Sequence, residues 1–83
     1  MLGPDELRVL EMLAEQPRTG TRQGADWALD NGKWVSGAML GFFKMKGFMT
    51  VEELPADGAA VKKRFAITAE GTKLLEELRA TSS

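Results

Sequence analysis

The stretch WVSGAMLGFFKMKGFMTVEELPADGAAVKKRFAITAEG, residues 34–71, decides the fold. Its first third places Val35, Met39, Phe42, Phe43 and Met45 around more than one helical stripe and stops at Gly47. The pattern predicts a helix from Trp34 or Val35 to Lys46, because glycine readily takes the left-handed conformation that closes a helix. Phe48 to Leu54 then reads as a strand. Pro55-Ala56-Asp57-Gly58 supplies turn chemistry, proline fixing one φ and glycine permitting a positive one. The return strand, Val61 to Ile67, puts Val61, Lys63, Phe65 and Ile67 on one side and Lys62, Arg64 and Ala66 on the other. Thr68 is placed to cap a last helix with Leu74, Leu75 and Leu78 as its inner stripe. Thr81-Ser82-Ser83 reads as a frayed tail.

Working outward from this core, Pro4 and the acids Asp5 and Glu6 suit the start of a helix. Leu7, Leu10, Leu13 and Ala14 recur at helical spacing until Pro17, which predicts a first helix over about residues 4–15. Thr19-Gly20-Thr21 reads as a turn with a helix cap. Ala25, Ala28 and Leu29 read as the inner face of a short second helix closed by Asp30-Asn31-Gly32. The expected architecture is α+β, with three helices, a β-hairpin wing and a C-terminal helix in one domain spanning residues 1–83.

The composition narrows the chemistry. The 83 residues contain no cysteine and no histidine, which removes disulfides, thiolate metal sites and the usual general base near neutral pH. No catalytic constellation, metal site or cofactor site is legible. Glu52, Glu53 and Asp57 read as strand solvation and turn chemistry rather than as enzymatic carboxylates. No apolar run reaches membrane-spanning length, and Met1-Leu2-Gly3-Pro4 is not a signal peptide, so the expected location is cytoplasmic. The net charge of −1 is unevenly spread. Residues 1–32 carry three cations against six acids, whereas residues 33–64 carry six cations against three acids. Such a basic excess on the helix-plus-hairpin segment is a weak electrostatic footprint for phosphate.

The order of elements resembles the winged helix-turn-helix domains of bacterial transcription regulators, with the MarR-like and PadR-like types nearest. The residues that carry the resemblance are Leu40, Phe43 and Lys44-Met45-Lys46 followed by Gly47-Phe48-Met49. The basic strand Lys62 to Ile67, leading into Thr68-Ala69-Glu70-Gly71, completes it. The resemblance implies a regulator that binds double-stranded DNA, with the third helix in the major groove. Lys33, Trp34, Ser36, Gly37, Gly41 and Lys44 would then lie along the groove. Lys62, Lys63 and Arg64 of the wing, with Arg22, would meet phosphates. The helix carries no arginine, asparagine or glutamine, the residues that most often read base edges.

The resemblance also implies pairing of two copies through the last helix, making Leu74 and Leu78 candidates for a dimer surface. Phe42 is expected either to be buried by the first and terminal helices or to belong to an exposed patch that a partner covers. Of Trp27 and Trp34, one is expected to pack around the turn between the second and third helices and the other to anchor a partner. The alternative reading is a protein-interaction module on the same scaffold, favoured by the acidic first third and the wide apolar arc of the third helix.

Overall fold

Pro4 opens a helix, α1, that runs to Glu15, and the Glu6 carboxylate accepts from the Gly3 N–H at 2.9 Å across its first turn. The computed structural model describes residues 3–55, 58 and 60–82. After α1 the chain forms β1 (Arg18–Gln23), β2 (Asp26–Leu29) and β3 (Trp34–Ser36), then helix α2 (Gly37–Met45). Strands β4 (Met49–Glu53) and β5 (Lys62–Ile67) and helix α3 (Ala69–Ser82) complete it. The architecture is α+β: three helices and a five-stranded antiparallel sheet in the order β3-β2-β1-β5-β4.

Several expected elements are in place, including α1, the β4–β5 hairpin and the last helix. Gly47, with φ +80°, ends α2 as expected, and the Thr68 hydroxyl accepts from the Gly71 N–H at 3.1 Å to cap α3. The Asp57 part of the wing turn lies outside the described residues, as does Ser83, while Thr81 and Ser82 continue α3 rather than fraying. The second helix is a correction. Residues 18–29 form a hairpin, joined by the two-residue loop Gly24-Ala25, with Gln23 opposite Asp26. Gly24 has φ +64° at the first loop position, and no described non-glycine residue has a positive φ. That is the pattern of a type II′ turn, whose twist matches the flanking strands. Alternation of Trp27 and Leu29 against Asp26 and Ala28 buries the two large side chains on one face, which a helix would have splayed apart. The third helix likewise begins later than expected. Trp34–Ser36 pair with β2, and only then does the Ser36 hydroxyl cap α2 by accepting from the Met39 N–H at 3.1 Å.

Register and alternation give the sheet two unlike faces. Arg18, Gly20, Trp27, Leu29, Val35, Met49 and Phe65 are buried on one of them. Val9, Leu10 and Leu13 of α1, Leu40 and Phe43 of α2, and Leu75 of α3 complete the same core, so all three helices cover this single face. The other face presents Thr19, Thr21, Asp26, Ala28, Trp34, Thr50, Glu52, Lys62 and Arg64, and no helix among the described residues lies over it. The Arg79 guanidinium meets Glu11 at 3.3 Å and links α3 to α1. Arg18, only 8% exposed, is held by Glu15 at 3.1 Å, by Asp30 at 3.7 Å and by the Met12 carbonyl at 3.4 Å. These partners satisfy a guanidinium that would otherwise be costly to bury. Among the described residues no helix is long and apolar enough to cross a membrane.

Candidate nucleic-acid interface

Helix α2 runs over the covered face of the sheet from the end of β3 to the start of β4. It buries Leu40 and Phe43 and partly buries Met39 and Phe42, which leaves Ala38, Gly41, Lys44 and Met45 facing outward. Its two glycines have different reasons. At Gly37 an added Cβ would lie 2.7 Å from the Ala25 carbonyl oxygen, which the Gly37 N–H also meets at 2.9 Å. The helix start is thus pressed against the β1–β2 loop, and Gly37 serves the protein's own packing. At Gly41 an added Cβ would meet nothing within 4 Å. A mid-helix glycine costs about 1 kcal/mol against alanine, and no internal contact here requires it. Gly41→Ala should therefore raise stability by about 1 kcal/mol and the melting temperature by about 4–8 °C. A fall in melting temperature would show that something inside the domain occupies that space.

A cleft of about 140 Å³ lies between α2 and the sheet, lined by Trp27, Gly37, Leu40, Gly41, Lys44, Val51, Lys63 and Phe65. Its floor is aromatic, the Trp27 and Phe65 rings meeting edge to face at 5.3 Å and 82°. Its rim is cationic, with Lys44 from α2 and Lys63 from β5. The Lys63 ammonium sits 5.8 Å above the Trp27 ring and 4.0 Å from the Glu53 carboxylate, directly across the β4–β5 ladder. Arg22 belongs to the same face of the sheet, opposite Trp27, and is exposed, with its Nε donating to the Gly24 carbonyl at 3.2 Å. From Asn31 to Val51 the chain holds three lysines and no acid, while α1 and α3 carry seven of the twelve acids. The stretch that carries α2 therefore brings no acid of its own to the cleft.

Of the residues expected to contact DNA, then, the structure brings Gly37, Gly41, Lys44 and Lys63 together, with Arg22 on the same face of the sheet. Lys62 and Arg64 do not join them. They project from the uncovered face, where Arg64 reaches Glu52 at 3.4 Å across the ladder. Lys33, Trp34 and Ser36 do not join them either. They line an open groove of about 760 Å³ between α1 and β3, whose other walls include Asp5, Glu11, Glu15, Met12 and Met39. Ser36 is also committed to its cap. Among the candidate partner residues, Phe42, Leu74 and Leu78 pack against the protein's own core. Trp34 is 61% exposed, whereas Trp27 is 9% exposed and closes the cleft floor.

Trp27 is the site residue that sequence reasoning placed in the wrong element. The signal that locates it is the pair of β-branched threonines before Gly24-Ala25, which marks a hairpin and puts Trp27 and Leu29 on one face. Among the described residues, no group of three or more acidic side chains is arranged to hold a metal ion. No protein-family model matches the chain, and comparison with curated proteins and with solved structures finds none that resembles it.

Proposed function

We propose that this protein binds duplex DNA, docking the outward side of α2 and the inner side of the β4–β5 wing against the phosphate backbone. The observation that carries the reading is the shared cleft: Gly41 and Lys44 of α2 and Lys63 of β5 open onto one surface. On this reading α2, β4, β5 and α3 form the helix-and-wing half of a winged helix. The β1–β2 hairpin stands where the second helix of that motif is expected. The open space over Gly41 lets a duplex approach the helix backbone, and the lysines on either side supply charge without long-range order in between. Lys62 and Arg64, on the far face of the sheet, are bystanders to such a complex.

The test is binding to a labelled duplex of mixed sequence, measured by fluorescence anisotropy at about 50 mM and 200 mM salt. Lys44→Ala combined with Lys63→Ala should weaken binding by about 10- to 100-fold at the lower salt, because each lost cation removes a phosphate contact. Lys62→Ala combined with Arg64→Ala should stay within about threefold of the parent. Undetectable binding at the lower salt, or equal losses from the two pairs, would sink the proposal.

A second reading rests on Trp34, which is 61% exposed on the edge strand β3, on the face of the sheet away from the helices. Large exposed aromatics are enriched where proteins meet proteins. In that case a protein partner docks at β3 while the α2 cleft stays empty. Trp34→Ala separates the two: DNA affinity is unchanged if α2 carries the function.

A further inference from the structure

Resting on the DNA reading, we infer that the α2 cleft holds a duplex through its phosphates alone and is indifferent to base sequence. Base pairs are told apart by paired donors and acceptors, typically the guanidinium fork of arginine or the amide of asparagine or glutamine. The outward positions of α2 are Ala38, Gly41, Lys44 and Met45, and none has such a pair. Lys44 is a point charge on a flexible stem, suited to phosphate and poor at fixing base geometry. The α2 backbone N–H groups are committed to the helix beyond its first turn. Inside the cleft, Leu40 and Phe65 are buried, and Lys63 is drawn over the Trp27 ring and toward Glu53. The Ser36 hydroxyl is committed to capping the helix.

Arg22 is an exposed guanidinium on the same face of the sheet. Its Nε donates to the Gly24 carbonyl at 3.2 Å, which ties the side chain to its own hairpin loop. Arg22, Lys44 and Lys63 are therefore three point contacts on a charged rod. The expected salt dependence is that of about three phosphates, a slope of about −2.7 in log affinity against log salt.

The experiment compares affinity for alternating A·T, alternating G·C and mixed duplexes of equal length at one salt concentration, together with selection from a randomised duplex library. Affinities within about threefold of one another, no enriched motif and a slope between about −2 and −3 are the expected results. Recognition by base contacts commonly costs tenfold or more for each altered base pair. A preference above about 30-fold, or a library motif, overturns the inference while leaving the DNA reading intact. Failure to bind any of these duplexes at low salt removes the DNA reading and the inference together. Arg22→Lys keeps the charge and removes the fork. Equal affinity of this variant for all duplexes supports phosphate contact, and a loss confined to the G·C duplex assigns base reading to Arg22 and overturns it.

Discussion

Gly71→Ala should destabilise the domain by about 2–4 kcal/mol, although alanine is the better helix former. Gly71 is buried in the first turn of α3, directly against the loop that leaves α2. An added Cβ would overlap the Phe48 carbonyl oxygen and come within 2.7 Å of the Ile67 side chain. The obstruction is backbone, so no rotamer change relieves it. The same carbonyl accepts the Thr68 N–H at 3.0 Å, the Thr68 hydroxyl donates to the Gly47 carbonyl at 2.6 Å, and that hydroxyl also accepts from the Gly71 N–H. Pushing α3 away to admit a methyl group would stretch all three bonds, so loss of the cap adds to the steric cost. A domain of this size loses about 4–8 °C of melting temperature per kcal/mol, which places the variant roughly 8–32 °C below the parent. Thermal unfolding followed by circular dichroism is the measurement. An unchanged or higher melting temperature would mean that α3 does not rest on Phe48. Gly41→Ala is the internal control: the same substitution in another helix, with an effect of opposite sign.

The contrast between those two glycines marks where the sequence is legible. Helix α1 could be read because Pro4, the spaced leucines and Pro17 all point the same way. The β4–β5 hairpin and the start of α3 could be read because turn residues and the Thr68 cap are local signals. The region around Trp27 was ambiguous for a physical reason. Ala25, Ala28 and Leu29 fit a short helical face, while Trp27 and Leu29 fit a strand, and only pairing with β1 and β3 decides between them. Local propensity is weak enough for such tertiary contacts to override. The site suffered a related loss. Alternation along β5 showed that Lys63 and Lys62 point opposite ways, but which face the helices cover depends on the whole sheet. Once Phe65 is buried on the helix side, Lys63 goes with it and the other two cations of the strand, Lys62 and Arg64, are turned away. Gly37 and Gly41 look alike in sequence, four residues apart. Only the position of the Ala25 carbonyl shows that one is needed for packing and the other is not.

Phe65→Ala should cost about 3–5 kcal/mol, the range for removing a large aromatic from a core that cannot collapse around the hole. Phe65 is 2% exposed on β5, with Arg18 opposite it on β1 and Val51 opposite it on β4. Its ring lies so close to Gly20 that a Cβ there would sit 2.8 Å from it, which means the ring rests on bare backbone of the neighbouring strand. Its other side supports the edge of Trp27 at 5.3 Å, an arrangement worth about 0.5–1.5 kcal/mol beyond area burial. The strands cannot move in to fill the gap without breaking ladder hydrogen bonds. For a chain whose total stability is expected to be on the order of 4–12 kcal/mol, that loss leaves little margin. Urea unfolding of the variant, followed by circular dichroism, should show a midpoint lowered in proportion, with the slope unchanged if the unfolded state is the same. Phe65→Leu retains most of the volume and should recover the larger part of the loss. Because Trp27 forms the cleft floor beside Lys63, the proposed DNA reading expects a folded Phe65→Leu protein to bind a duplex more weakly than its stability alone explains. A loss below about 1 kcal/mol for Phe65→Ala would contradict the register that seats this ring between β1 and β4, and with it the placement of Lys63 on the side of α2.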